Sequence, residues 1–351
     1  MIGKGKRIGY IDALRGVTMI LVVFAHVELF CLGIPYTKSI IGSVFISFRM
    51  PMFFFISGFI AYKAITWDVL YYTKMLKKKF IVQIIPTLFF FYLYHTVCYG
   101  NSFFSFFTNG PEGYWFTIVL FYMFLLYYTI MLLTHKSKPC LSDALLITVA
   151  IIGALVYTGG MKFYDLSKYP VFCLINLSRY FGFFVLGVLC MKYLDRFYKI
   201  ISNEYVKAFL LLGFLCVFIL CWKETLIQYS AVHVFNNEFT VRYLGLFLVF
   251  AIFYRYRETF ETDGRIIRFI RFIGRRTLDI YLLHYFFLPD LKAYKEIVLK
   301  WIEPQNTLLE LFVVLLITSL VISMCLLTSA IIRSSSILGH YLLGAKLPYK
   351  R

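Results

Sequence analysis

Apolar residues in this chain do not recur with the one-sided spacing of a surface helix. They fill whole stretches. Val17 to Ile34 and Ile40 to Ala61 carry only a few polar side chains each, and similar runs follow to the far end, separated by short polar or basic connectors. A helix that is apolar on every side is one surrounded by protein or lipid, and about 20 such residues cross a bilayer. The pattern predicts ten spans, at 12–32, 40–62, 80–98, 114–134, 141–160, 171–191, 205–222, 239–255, 266–288 and 308–332. The expected fold class is therefore all-α, a polytopic transmembrane bundle forming a single integral membrane domain over 1–351.

Composition agrees: 61% of the 351 residues are hydrophobic and 15% are charged, with a mean hydropathy of +0.77. The first apolar run is long for a secretory signal and no small-residue cleavage pattern follows it, so it reads as a retained span. The net charge of +18 raises the question of nucleic acid, but in a membrane chain the position of the charges carries more information than their sum. Twenty-two Lys and Arg fall in connectors on one side, against seven on the other: Lys38, Lys162, Lys168, Lys223, Lys292, Lys295 and Lys300. The positive-inside rule then puts both termini in the cytoplasm, which requires an even number of spans. The basic residues are accounted for by topology and anionic lipid, with no nucleic-acid partner. Eight cysteines are scattered, mostly within spans and without a Cys-x-x-Cys pair; they read as buried thiols, and neither a disulfide framework nor a metal site is expected. No connector is long enough for a second domain, and no repeat of fixed period is present.

Ionisable groups inside spans are costly, so they make the short list for function. Arg15 and His26 are eleven residues apart, three helical turns with about 20° of residual rotation, which places them on one face about 16 Å apart along the axis. Asp12 lies one turn before Arg15 on that face. The plainer alternatives are a snorkelling pair at a helix end for Asp12 and Arg15, and a hydrogen bond to a neighbouring helix for His26. Arg49 and Arg179 lie within the second and sixth expected spans, and Glu28, Glu112 and Asp279 are the acids available to pair with them. Pro51 interrupts the helical ladder beside Arg49, with Ser57 available to repair it, so this stretch is either a kink with local packing or the opening of a polar cavity. His95, His135, His233 and His340 stand at span ends or in loops and read as solvated or interfacial.

These residues sit in recognisable company. Asp12-x-x-Arg15-Gly16, with the Arg15 to His26 spacing, resembles the first span of the family 3 membrane acyltransferases, which O-acylate cell-surface carbohydrates. Met50-Pro51-Met52-Phe53-Phe54-Phe55-Ile56-Ser57-Gly58 resembles that family's Pro-Leu-Phe-Phe-x-x-Ser-Gly signature. Tyr114-Trp115-Phe116 is similar to its Trp-Phe-Leu entry to the fourth span, and Thr277-Leu278-Asp279-Ile280-Tyr281-Leu282-Leu283-His284 to its Ser-x-x-x-Tyr-x-x-His run in the penultimate one. Tyr114 stands where the tryptophan motif often has histidine, and Met52 replaces the usual leucine.

The resemblance implies an acyl-CoA donor, acetyl-CoA in the simplest case, on the cytoplasmic side of a bacterial inner membrane, with no permanently bound cofactor. It implies a hydroxyl of a cell-surface or lipid-linked glycan as acceptor. Some relatives carry an extracytoplasmic esterase-like domain; without one, transfer is expected either directly or through a separate partner. Within that frame Arg15 suits a CoA phosphate, with Asp12 orienting the guanidinium. His26 suits a general base, as an uncharged imidazole in a partly dry site. Arg49 and Arg179 suit an oxyanion or an acidic sugar. Tyr281 and His284, one turn apart, read as acceptor-binding or as interfacial anchors, and Ser57, Glu112, Trp115 and Asp279 complete the expected substrate-binding set. A transporter or flippase of a polar or lipid-linked sugar, with the same charged residues lining its path, is the alternative.

Overall fold

The computed structural model describes residues 8–35, 39–100, 110–163, 173–223, 239–291 and 307–345, and within these every regular element is helical. In chain order the first half comprises α1 (Gly9–His26), a π-helical turn (Val27–Cys31), α2 (Ile40–Ala61), α3 (Val69–Lys79), a second π turn (Phe80–Ile84) and α4 (Ile85–Tyr99). A short 3-10 turn (Glu112–Tyr114) then leads into α5 (Trp115–Leu133), followed by α6 (Pro139–Phe163) and α7 (Leu174–Lys192). The second half comprises α8 (Leu194–Ser202), α9 (Glu204–Lys223), α10 (Val241–Arg255), α11 (Arg265–Arg275), α12 (Thr277–Leu283) continuing as a 3-10 turn (His284–Phe287), α13 (Thr307–Ser334) and α14 (Ser336–Leu343). His233 and the connector lysines Lys38, Lys168, Lys292, Lys295 and Lys300 lie outside the described residues.

Among the described residues seven helices are long and apolar enough to cross a membrane: Gly9–Cys31, Ile40–Ala61, Val69–Cys98, Glu112–Leu133, Pro139–Gly159, Leu174–Lys192 and Leu308–Ser334. They coincide with seven of the ten expected spans. The expected span at 205–222 is one arm of a helix pair, α8 and α9, bent by 73°, which makes eight if the pair is one crossing. The other two expected spans are not among the seven. Residues 239–255 are helical throughout, a π turn at 239–240 leading into α10, and these 17 residues reach about 25 Å, within the range of a crossing helix. The stretch 266–288 is divided into α11, α12 and a 3-10 turn. α11 is amphipathic, with Arg265, Arg268, Arg271 and Arg275 along one side. The outward leucines and isoleucines of α6 and α13, such as Leu155 and Leu316, are those of a multi-pass membrane protein.

The chain divides into two compact units. The first comprises Met1–Ile56 and Asp195–Leu327, the second Ser57–Leu194 and Thr328–Arg351. In the first, α1 crosses α11 at backbone contact distance. A Cβ built on Gly274 would lie 1.8 Å from the Asp12 carbonyl oxygen, and one on Gly16 would lie 2.2 Å from that of Ile270. Only glycine on both helices permits the approach. The α1 N-terminus lacks a side-chain cap of its own. Instead Glu261 accepts a hydrogen bond from the Gly9 amide at 2.6 Å, placing an acid on the positive end of the helix dipole. Tyr10 pairs hydroxyl to hydroxyl with Tyr198 at 2.6 Å and packs edge-on against Phe250 and Tyr254.

In the second unit the end of α2 meets α7 through Gly58, where a Cβ would stand 1.9 Å from the Phe184 carbonyl oxygen. Trp67 packs on Tyr71, Tyr127 and Tyr128. α6 and α7 are tied by Lys192 to Asp143 at 2.6 Å, with the Tyr193 hydroxyl donating to the same carboxylate. Asp68 caps α3 by accepting from the Tyr71 amide.

Candidate functional site

Arg15 and His26 lie on α1, as their spacing implied, and each meets a residue of the segment from Thr277 to His284. Arg15 Nη2 donates to Thr277 Oγ1 at 2.9 Å. Three turns on, His26 Nδ1 lies 2.7 Å from His284 Nε2. Two stretches more than 250 positions apart in sequence are thus joined at both ends of one helix face. His284 is fully buried and its other ring nitrogen, Nδ1, is 3.0 Å from the Ile280 carbonyl oxygen. His26 is only half-buried. Among the described residues no hydrogen-bond partner stands at its Nε2, and that atom is not among the sealed, unsatisfied ones. The α-helix widens into the π turn directly after His26, a departure that recurs at functional positions. Aromatic rings close the surroundings: Tyr285 lies 5.3 Å from the His26 ring and 4.1 Å from that of His284, and Phe30 stands edge-on to His26.

The other charged groups of this unit gather nearby. Arg49 is buried on α2 and acts electrostatically on both His26 and Glu28. Glu28 accepts from the Ser39 hydroxyl at 3.1 Å, and Ser39 in turn accepts from the Gly42 amide at 2.9 Å, so this acid braces the N-terminus of α2. Its carboxyl also interacts electrostatically with that of Glu310 on α13. Asp279 is buried and lies 3.6 Å from Arg276 Nη1. Tyr281 is buried beside His284, with ring centroids 6.1 Å apart.

The remaining expected residues belong to the second unit. Trp115 stacks on Tyr180 at 5.8 Å, and the Arg179 guanidinium sits over the rings of Tyr180 and Tyr157. Glu112 has a backbone φ of 38°, a left-handed conformation that a side chain adopts at a cost. Its carboxylate lies 3.5 Å from His95 Nε2. Ser57 opens this unit, one residue before the close contact at Gly58. The structure therefore brings Asp12, Arg15, His26, Arg49, Asp279, Tyr281 and His284 into one unit, and Ser57, Glu112, Trp115 and Arg179 into the other.

A family model described as an acyltransferase domain matches residues 8–328. The chain belongs to the family 3 acyltransferases. The match covers nearly the whole of this acyltransferase and takes in every site residue named above. Comparison with curated proteins and with solved structures gave no match.

Some sequence expectations for the acyltransferase are corrected by its structure. His95, read as solvated or interfacial, is 3% exposed with its ring 4.1 Å from that of Phe91; its side chain turns inward although Val97 and Cys98 beside it are exposed. Cys98, Cys140 and Cys216 are exposed, whereas Cys31, Cys173, Cys190 and Cys325 are buried. Among the described residues no group of three or more His, Cys, Asp or Glu side chains is placed to hold a metal ion. Tyr285 and Glu310 have no place among the sequence expectations, and Thr277 enters there only as the first residue of the Thr277–His284 stretch, with no role of its own. Glu310 carried a usable signal, an acid at the start of an apolar helix, but the partners of Thr277 and Tyr285 are set by tertiary packing alone.

Proposed function

We propose that the protein transfers an acyl group, most simply acetyl, from cytoplasmic acyl-CoA to a hydroxyl of a cell-surface or lipid-linked carbohydrate, in a bacterial inner membrane with both termini in the cytoplasm. The observation that carries this reading is the pair of hydrogen bonds joining Arg15 to Thr277 and His26 to His284. They draw a cation and an imidazole on one helix face into a protein-lined setting instead of leaving them against lipid.

His26 is the general base. Its Nε2 takes the proton of the acceptor hydroxyl as the oxygen bonds to the thioester carbonyl carbon. The tetrahedral intermediate collapses with cleavage of the carbon–sulfur bond, and the departing thiolate takes that proton from His26, leaving an ester and free CoA. Arg49, whose charge acts on the His26 ring, stabilises the oxyanion. Arg15 holds a phosphate of the donor, with Asp12 one turn away on the same face. In the second unit, Trp115, Tyr180 and Arg179 offer aromatic faces and a cation suited to a sugar, including an acidic one.

Purified protein in lipid nanodiscs, given radiolabelled acetyl-CoA and envelope glycan from the source cells, is expected to place alkali-labile label on the glycan. Proton-driven sugar uptake by proteoliposomes with no labelled product would overturn the reading in favour of a transporter.

A further inference from the structure

The imidazole that acts as base in the proposed reaction is useful only if its lone pair faces the substrate, and a neutral ring can carry its proton on either nitrogen. The contacts of His284 remove that freedom. A carbonyl oxygen accepts and never donates, so the 3.0 Å contact between His284 Nδ1 and the Ile280 carbonyl requires the proton on Nδ1. A neutral imidazole has one N–H, which leaves His284 Nε2 as an acceptor. The 2.7 Å bond to His26 must then be donated by His26 Nδ1. Its single proton is thereby used on the side away from the reaction, and Nε2 holds the lone pair. The direction of the whole chain, from His26 through His284 to a backbone carbonyl, follows from which atom at its end is unable to donate.

We propose that His284 is a positioning residue that fixes the tautomer and orientation of His26, rather than a residue that touches the acceptor. Both of its nitrogens are engaged and its side chain is sealed from solvent, so no donor or acceptor is left for a sugar hydroxyl. Tyr285, at 4.1 Å, and Tyr281, at 6.1 Å, pack against the His284 ring. The same bond serves during the step: once His26 has taken the hydroxyl proton and carries N–H on both nitrogens, Nδ1–H still donates to His284 Nε2. A neutral histidine thus does what a carboxylate does in a hydrolase triad. Because the acceptor is uncharged, the protonated base is not held as an ion pair and returns its proton readily to the thiolate.

This inference rests on His26 being the base, and its test separates the two. NMR of isotope-labelled histidine nitrogens, on protein in nanodiscs with His26 signals assigned by loss in His26→Gln, is expected to show His26 protonated at Nδ1 and bare at Nε2. The reverse assignment would overturn the proposal whatever the activity. His284→Leu, which fills the space without an acceptor, is expected to slow label transfer from acetyl-CoA by about 10–100-fold, with the KM for acetyl-CoA unchanged. His284→Gln, whose side-chain oxygen can accept from His26 Nδ1, is expected to recover most of that loss. His284→Leu at the wild-type rate, or His284→Gln as slow as His284→Leu with a raised requirement for glycan, would contradict a positioning role. If instead His26→Gln were fully active, the base itself would be wrongly assigned, a different outcome from any of these.

Discussion

Gly274→Ala tests how closely the fold is tied to the site. The added methyl would lie 1.8 Å from the Asp12 carbonyl oxygen and 3.0 Å from the Gly16 amide nitrogen. Neither obstacle is the end of a flexible side chain that can swing aside. Ordinary van der Waals contact begins at 3.4 Å, so α1 and α11 must separate locally by roughly 1.6 Å, the difference between those two distances. Overpacking of this kind costs about 1–3 kcal/mol, and the rigid backbone on both sides puts the expected value at the upper end. The same displacement acts on chemistry. Arg15 is one residue before Gly16 and Thr277 three after Gly274, so their 2.9 Å hydrogen bond would be drawn beyond bonding range. Misplacement by about 1 Å is enough to lower turnover about 10²-fold. The measurements are thermal unfolding of detergent-purified protein and label transfer from acetyl-CoA in membranes with matched protein levels. Gly213→Ala is the control, because its methyl would meet only leucine methyls at 3.6 Å, and better helix propensity makes it neutral or slightly stabilising. Gly274→Ala with unchanged unfolding temperature and turnover would refute the argument from the crossing to the site.

Other substitutions probe separate parts of the account. Gly58→Ala, whose methyl would stand 1.9 Å from the Phe184 carbonyl oxygen, is expected to lower the unfolding temperature by an amount similar to Gly274→Ala; an unchanged temperature would count against the α2 to α7 packing. Glu261→Ala removes the 2.6 Å bond to the Gly9 amide and is expected to cost about 0.5–2 kcal/mol, read as a modest fall in unfolding temperature with no change in the KM for acetyl-CoA. Arg15→Lys keeps the charge but loses the planar fork, and is expected to raise the KM for acetyl-CoA about 10–100-fold. An unaltered KM would detach Arg15 from the donor.

The sequence made some of this legible because local geometry decides it. The 3.6-residue repeat alone put Arg15 and His26 on one face, and seven spans followed from run length. What it hid depends on distance or on averaging. His284 was readable as an acceptor-binding residue or an interfacial anchor but not as the partner of His26, which lies 258 positions earlier. The stretch from Ile266 to Leu288 sums to an apolar total although arginine recurs every third or fourth residue in its first half, a pattern of a helix with one charged side rather than of a crossing. Gly16 belongs to the Asp12-x-x-Arg15-Gly16 motif, yet neither it nor Gly274 shows in sequence why it must be glycine. Each is demanded by a carbonyl oxygen on the other helix, and no local pattern records that.

The most direct test of the central claim compares wild type with His26→Ala. Both are reconstituted in nanodiscs at equal abundance, with initial rates of label transfer from acetyl-CoA to envelope glycan measured side by side. The account predicts a fall of about 10²–10⁴-fold with membrane insertion intact. Transfer by His26→Ala at the wild-type rate would contradict it.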